Sequence, residues 1–194
     1  MRGKFIVLYG INNLGKTTQA KRLVQKLVQS GRKAKYLKYA VYGLEPSGKR
    51  LNDYLRAGNP EKLTAKQAQE IYAENRAQYE PTLKNDLESG MDIVAEDYWG
   101  TGVAWGAGAG VNKDFLLKLN ERFNFEDIAI LLTGTRFESR VEKDHLHERD
   151  IEFTNIAEKV HQELAREFGW KIVNANQDKE KVTEDIWEHV KKII

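Results

Sequence analysis

Eight consecutive residues near the start of the chain have the spacing of a loop that binds nucleotide phosphates: Gly10-Ile11-Asn12-Asn13-Leu14-Gly15-Lys16-Thr17. The two glycines allow a backbone conformation that wraps an anion with N–H groups. In this pattern Lys16 reaches the β- and γ-phosphates, and the hydroxyl of Thr17 binds Mg²⁺. An apolar strand precedes the loop and a helix follows, which is the context that the pattern requires. The sequence therefore predicts a site for ATP and Mg²⁺ formed by Gly10, Asn12, Asn13, Leu14, Gly15, Lys16, Thr17 and Thr18.

The composition is that of an ordinary globular domain. The chain has 194 residues with a formal charge of +2, which is too balanced to favour a nucleic-acid partner. Cysteine is absent from the sequence, so disulfides and cysteine-bound zinc are excluded. The apolar run Phe5 to Tyr9 is too short for a membrane span. We therefore expect a cytoplasmic protein without a membrane or nucleic-acid partner.

Short apolar runs alternate with amphipathic helical patterns along the chain. Strands are predicted at 4–9, 34–39, 92–95, 128–132 and 171–173. Helices are predicted at 16–30, 46–56, 64–89, 113–123 and 183–193, with a break or kink at Pro81, whereas 100–110 is too rich in glycine to assign. This alternation predicts an α/β, three-layer P-loop NTPase fold with a five-stranded parallel sheet and helices on both faces. We expect a single domain over 1–194 with ligands at the carboxyl ends of the strands.

Three further segments carry a resemblance to a known family. They are Glu45-Pro46-Ser47-Gly48, the helical run Ile71 to Gln78, and Ile93-Val94-Ala95-Glu96-Asp97-Tyr98. With the phosphate-binding loop, they resemble the thymidylate kinase family of nucleoside-monophosphate kinases over nearly the whole chain. The resemblance implies an enzyme that transfers a phosphoryl group from Mg-ATP to a nucleoside monophosphate, with dTMP favoured. It also implies a homodimer.

The resemblance assigns the acceptor base to residues on two segments. Tyr72 would stack on the base and Arg76 would bind its edge, and residues four apart do share one helix face. The segment Trp99 to Gly106 is similar to a family stretch that lines the base and sugar. There Thr101 keeps a hydroxyl, and Trp105 stands where a tyrosine screens the 2′ position of the sugar. The alternatives are a core tyrosine with a surface arginine at 72 and 76, and a tryptophan that is simply core.

The acids that end the third predicted strand have different counterparts in the family. Glu96 aligns with an aspartate that helps to organise magnesium. Asp97 stands where the family has an arginine that holds the acceptor phosphate. A carboxylate cannot take over that role directly, so Asp97 either binds metal or pairs with a lysine that grips the phosphate. A strand-end cap or a surface acid is the alternative for both residues.

Other departures also fall on the acceptor side. Val41 stands where many members have an arginine, Gly102 lacks the amide often found there, and Asn12 replaces an acid in the loop. Three residues could restore the lost positive charge, although each could equally be an ordinary solvated side chain: Lys38, Arg50 and Arg56. These departures leave two other functions open, namely a kinase for another (deoxy)nucleotide or a nucleoside, and a nucleotide-binding regulator without acceptor chemistry.

A basic segment late in the chain resembles the lid of these kinases. Arg136 and Arg140 lie four apart on a predicted helix face before the polar segment 143–150. We expect Arg136 to contact ATP and Arg140 to contact the base or phosphates of ATP. His145 stands where the family has a lid arginine, so we expect Arg149, the nearest remaining arginine, to neutralise charge during transfer. Surface salt bridges are the alternative for each arginine. Two other histidines, His161 and His189, are predicted on helix surfaces.

Overall fold

The strands form one parallel sheet in the computed structural model, which describes residues 1–123, 125–136 and 151–194. They are β1 (Phe5–Tyr9), β2 (Lys33–Lys38), β3 (Met91–Glu96), β4 (Ile128–Thr133) and β5 (Lys171–Asn174). Their order across the sheet is β2-β3-β1-β4-β5. Leu8 of β1 lies opposite both Glu96 of β3 and Ile130 of β4, so the carboxyl ends of these strands meet at one edge.

Helices cover both faces of the sheet. Within the described ranges they are α1 (Lys16–Gln29), α2 (Ser47–Arg56), α3 (Ala65–Glu88), α4 (Trp99–Gly108), α5 (Lys113–Asn120), α6 (Ile151–Glu167) and α7 (Lys179–Val190). Helices α1 and α7 contact each other, and α4 contacts α3, α5 and α6 in a second layer. The predicted three-layer α/β fold is confirmed. None of these described helices has the length and apolar character that a bilayer span needs.

The glycine-rich segment that resisted assignment is helical as α4. Its glycines face close neighbours: a Cβ on Gly100 would overlap the Trp170 ring, and a Cβ on Gly106 would lie 2.8 Å from Leu116. Glycine disfavours a helix by about 1 kcal/mol per residue, yet packing of this kind overrides such preferences. Tertiary contact explains this helix, and no local pattern in the sequence could reveal it.

Of the break or kink expected at Pro81, the break is wrong, because α3 runs through this residue without ending. The helix begins with a capping box: the Thr64 hydroxyl accepts from the Gln67 amide, and the Gln67 side chain accepts from the Thr64 amide. Beyond the proline, Leu83 and Leu87 are fully buried. Burial of this apolar face outweighs the one backbone hydrogen bond that proline removes. The last helix, α7, starts at Lys179, four residues earlier than predicted.

His161 was predicted on a helix surface and is instead buried in α6, with 1% of its surface exposed. Its Nδ1–H donates to the Ala157 carbonyl at 2.9 Å, and Nε2 has no hydrogen-bond partner among the described residues. Burial, and secondarily the charge of Lys16, lowers the pKa of His161 from 6.5 to about 3. The imidazole is therefore neutral at physiological pH. His189 on α7 is only partly buried.

We expect this histidine to make the fold sensitive to acid. The depressed folded-state pKa means that its contribution to stability is complete above pH 6.5 and is lost as the pH falls toward 3. The free energy of unfolding should decline by up to about 1.4 kcal/mol per pH unit in this window. Urea unfolding of the wild type and of His161→Gln between pH 7 and 5 measures the effect, and the variant should show the shallower decline. The matched control is His189→Gln, and equal slopes for all three proteins would contradict the prediction.

Candidate active site

The phosphate-binding loop connects β1 to α1 at the carboxyl edge of the sheet. Gly10 and Gly15 have positive φ angles of 137° and 81°, which glycine adopts far more readily than other residues do. A Cβ on Gly10 would lie 2.6 Å from the Leu132 carbonyl oxygen, so the loop sits tightly against β4. The Lys16 ammonium is buried and donates to the carbonyls of Gly10 and Ile11 at 2.8 and 2.9 Å. The loop and its lysine are thus held in place to receive an anion.

A cleft of about 270 Å³ opens beside this loop. Its walls come from the loop with the start of α1, from the ends of β2 and β3, from the end of α2, and from α3 and α4. The sequence-predicted site residues that line it are Asn12, Asn13, Gly15, Lys16, Thr17, Thr18, Tyr72, Arg76, Glu96, Asp97, Thr101 and Trp105. Gly10 and Leu14 support the loop from within, and Leu14 is buried in the core. Residues predicted for two different substrates therefore share one cleft.

Glu96 ends β3 and is buried, and each of its two carboxylate oxygens accepts a hydrogen bond. Its Oε2 accepts from the Tyr36 hydroxyl at 2.6 Å, and its Oε1 accepts from the Lys38 ammonium at 3.1 Å. The Thr17 hydroxyl also hydrogen bonds to this carboxylate. Burial raises the pKa of Glu96. The charges of Lys16 and Lys38 and these hydrogen bonds together lower it by more than burial raises it, so the pKa stays below its ordinary value. The site thus holds an ionised carboxylate beside the threonine hydroxyl, and both are oxygen donors that suit a hard cation such as Mg²⁺.

Asp97 follows with its carboxylate between the loop and α4. Its φ of 63° lies in the left-handed region, which aspartate tolerates better than most residues. Its Oδ1 lies 3.7 Å from Lys16 Nζ and accepts from the Thr101 hydroxyl at 3.0 Å. Burial raises the pKa of Asp97, although Lys16 opposes the shift. Of the expected arrangements, the structure has Asp97 paired with a lysine, and that lysine is the one in the loop.

Arg76 forms the deep end of the cleft, and the alternative of a surface arginine is wrong because only 3% of it is exposed. Its guanidinium donates to Asn120 Oδ1 and lies 5.4 Å from the Phe123 ring centre. Burial lowers its pKa to about 10, so the group remains charged at neutral pH. Tyr72 is one helical turn away and lines the same cleft. Together they place a flat ring and a planar cation in the same cleft as the phosphate-binding loop.

Trp105 on α4 serves the cleft and the core together. It is 9% exposed, lines the cleft, and packs on Phe153 of α6 with ring centres 5.2 Å apart. Both interpretations of this residue therefore describe part of its environment.

Sequence reasoning missed Gln69, which also lines the cleft. It lies three and seven residues before Tyr72 and Arg76 on α3, and therefore on the same helix face. This spacing was the available signal, but a lone glutamine in an amphipathic helix has no chemistry that singles it out.

Several predicted residues lie elsewhere. Arg136 follows β4 and does not border the cleft; its NH1 donates to the Thr154 hydroxyl on α6 at 3.4 Å. Arg50 forms an exposed ion pair with Glu61 at 2.8 Å. Arg140, Arg149 and the segment 143–150 with His145 lie outside the described residues. Of the three candidates for added positive charge, Lys38 and Arg56 line the cleft.

The fold and this cleft define a P-loop phosphotransferase, with a nucleotide-phosphate loop and an aromatic–arginine pair lining one cleft. The family model described as thymidylate kinase matches residues 8–186. The chain belongs to the thymidylate kinase family and is a nucleoside-monophosphate kinase by class, which confirms the resemblance.

Individual relatives agree with this assignment over nearly their whole lengths. The thymidylate kinase of Danio rerio is 28% identical and is aligned over all of this chain and 92% of its own. That of Trichodesmium erythraeum is 30% identical, over 96% of this chain and 94% of its own. Among solved structures, thymidylate kinase from Candida albicans superposes with a TM-score of 0.82 at 23% identity, over 98% of this chain and 92% of that one. This structural superposition shows that the two proteins share one fold.

Proposed function

We propose that this protein transfers the γ-phosphoryl group of ATP to the phosphate of dTMP, giving dTDP and ADP. The observation that carries the proposal is that the phosphate-binding loop lines the same cleft as Tyr72 and Arg76. Membership of the thymidylate kinase family supports it independently. The two substrates would lie end to end, with their phosphates meeting near Lys16 and Glu96.

The chemistry is positioning and charge stabilisation without a covalent enzyme intermediate. An oxygen of the acceptor phosphate attacks the γ-phosphorus in line, a new P–O bond forms, and the bond to the β–γ bridging oxygen breaks to release ADP. The loop N–H groups and Lys16 hold the donor phosphates. Because Lys16 is buried and fixed by two carbonyls, its charge is in place before transfer begins.

The hydroxyl of Thr17 and the carboxylate of Glu96 would hold Mg²⁺, since they are adjacent oxygen donors and Glu96 is kept ionised. When bound, the ion offsets negative charge on the phosphates during transfer. Asp97 lies beside this pair and keeps Lys16 oriented through its 3.7 Å contact.

The acceptor base would lie along Tyr72, with Arg76 at its edge and with Thr101 and Trp105 on the sugar side. The acceptor phosphate needs a cation, because the family arginines are replaced by Val41 and Asp97. The cations that line the described cleft are Lys16, Lys38, Arg56 and Arg76.

Lys38 is our choice for this contact. Arg76 is buried at the base end, Lys16 belongs to the loop, and Arg56 lies over the Tyr42 ring at 5.3 Å. Lys38 stands at the end of β2, is half exposed, and reaches Glu96. Burial lowers the pKa of Lys38, but Glu96 and Asp97 together raise it by more than burial lowers it. The ammonium group therefore stays charged.

The remaining assignments stay proposals. Arg149 acts from a lid at 143–150, Arg140 acts from the segment just before it, Arg136 contributes on the ATP side, and the chain works as one domain. We propose a homodimer on the family resemblance. A cytoplasmic location is consistent with a nucleotide substrate and a chain without cysteine.

An acceptor panel tests the function. Release of ADP from Mg-ATP, with product identification, is measured against dTMP, dUMP, dCMP, dGMP, dAMP, the ribonucleotides and thymidine. We expect dTMP to give the highest kcat/KM. Preference for another acceptor would mean that Val41, Asp97 and Gly102 mark a changed specificity. Binding of ATP with no product from any acceptor would instead indicate the regulator.

A further inference from the structure

Gln69 carries a buried polar atom that nothing in the described protein satisfies. Its side chain is 5% exposed, and Oε1 has no hydrogen-bond partner among the described residues. It nevertheless lines the cleft. A buried acceptor without a donor is costly, so an amide oxygen left in this state inside a binding cleft points to a donor on the ligand.

Two glycines of α4 make the space that Gln69 occupies. A Cβ on Gly106 would lie 3.1 Å from Gln69 Cγ, and a Cβ on Gly102 would lie 3.1 Å from Gln69 Oε1. The family amide that is missing at position 102 therefore has a counterpart. The Gln69 amide of α3 lies next to the space that a side chain at position 102 would enter.

The same point locates Arg76 relative to Gln69. A Cβ on Gly102 would lie 3.4 Å from NH2 and 3.5 Å from NH1 of Arg76. A lone acceptor and a set of donors are thus neighbours at the base end of the cleft. The guanidinium can only donate hydrogen bonds, so the position beside Arg76 always requires an acceptor on the ligand.

The edge of thymine or uracil has the complementary order, an N3–H donor next to the O4 acceptor. Cytosine reverses it, with an N3 acceptor next to an amino donor. Turning the Gln69 amide over would satisfy cytosine N3 but would leave the cytosine amino group facing Arg76. We infer that Gln69 is a specificity-determining residue that accepts from base N3–H while Arg76 donates to O4. This inference rests on the proposed function and adds an element that rejects cytosine.

Calorimetric binding of dTMP and of 5-methyl-dCMP, which keeps the methyl group and reverses the edge, tests the inference. The wild type should bind dTMP at least about 100-fold more tightly. Gln69→Leu should weaken dTMP by about 10- to 100-fold and change 5-methyl-dCMP far less, because only dTMP loses a partner for its donor. Gln69→Glu keeps an acceptor and should keep the preference for dTMP. The control Gln78→Leu, on the same helix but outside the cleft, should match the wild type.

The inference alone would be overturned if the wild-type preference survived in Gln69→Leu, whether both ligands kept their affinities or both lost affinity equally. Loss of the preference in Gln69→Glu with a native circular dichroism spectrum would also count against it, and this variant serves if the leucine variant does not fold. A wild type that binds neither pyrimidine nucleotide would instead remove the proposed function, and with it the inference.

Discussion

Replacing Lys16 with methionine should lower kcat for phosphoryl transfer by roughly 100- to 1,000-fold, the range seen when one preorganised group that stabilises transition-state charge is removed. Methionine keeps the length of the side chain and loses the charge. The ammonium is buried and held by the carbonyls of Gly10 and Ile11, so no solvent cation can take its position without rebuilding the loop. Steady-state rates at saturating ATP and dTMP measure the loss.

Lys21→Met is the matched control for this experiment. Lys21 lies on the same helix, is exposed, and has its ammonium 5.7 Å from the Tyr36 ring centre. It should retain wild-type kcat. Both variants should give the wild-type circular dichroism spectrum. A Lys16→Met enzyme that keeps more than about a tenth of the wild-type rate would be incompatible with the role of Lys16 in transfer.

Replacing Lys38 with methionine should raise the KM for dTMP by about 10- to 100-fold. A hydrogen bond to a charged group contributes about 1.5–3 kcal/mol, and each 1.4 kcal/mol is a factor of ten. The KM for ATP should change little, because Lys16 and the loop hold the donor phosphates. Lys38→Arg should recover most of the affinity, since arginine supplies the same charge with more donors.

Binding of thymidine separates this role from a structural one. Thymidine has the base and sugar but no phosphate, so its Kd should be the same for the wild type and Lys38→Met. Lys35→Met, on the same strand but paired with Asp86 on α3, is the control and should leave the KM for dTMP unchanged. If Lys38→Met weakened thymidine as much as dTMP, Lys38 would act by supporting Glu96 rather than by contacting the phosphate.

The fold and the donor side of the site were predictable because their signals are local. Strands β1 and β4 are apolar runs, the loop has fixed glycine and lysine spacing, and Glu96 and Asp97 follow a strand whose carboxyl end must face the ligand. The resemblance added Tyr72 and Arg76, and both line the cleft with the loop.

The failures share a different cause. Helix α4, the burial of His161 and the position of Gln69 are set by neighbours distant in sequence. Gly106 packs on Leu116 of α5, and Gln69 fills space that α4 leaves open. A single sequence read by periodicity has no access to such contacts.

The glycines of α4 restrict the mutational routes by which this protein can acquire a new acceptor. A Cβ at Gly100 or Gly106 would overlap Trp170 or Leu116, and a Cβ at Gly102 or Gly108 would crowd Gln69 or Phe153. A single substitution at one of these glycines therefore requires its neighbours to move. A change of acceptor is therefore expected first at Gln69, Tyr72 and Lys38, which line the cleft from α3 and the end of β2. Libraries for directed evolution belong at those positions.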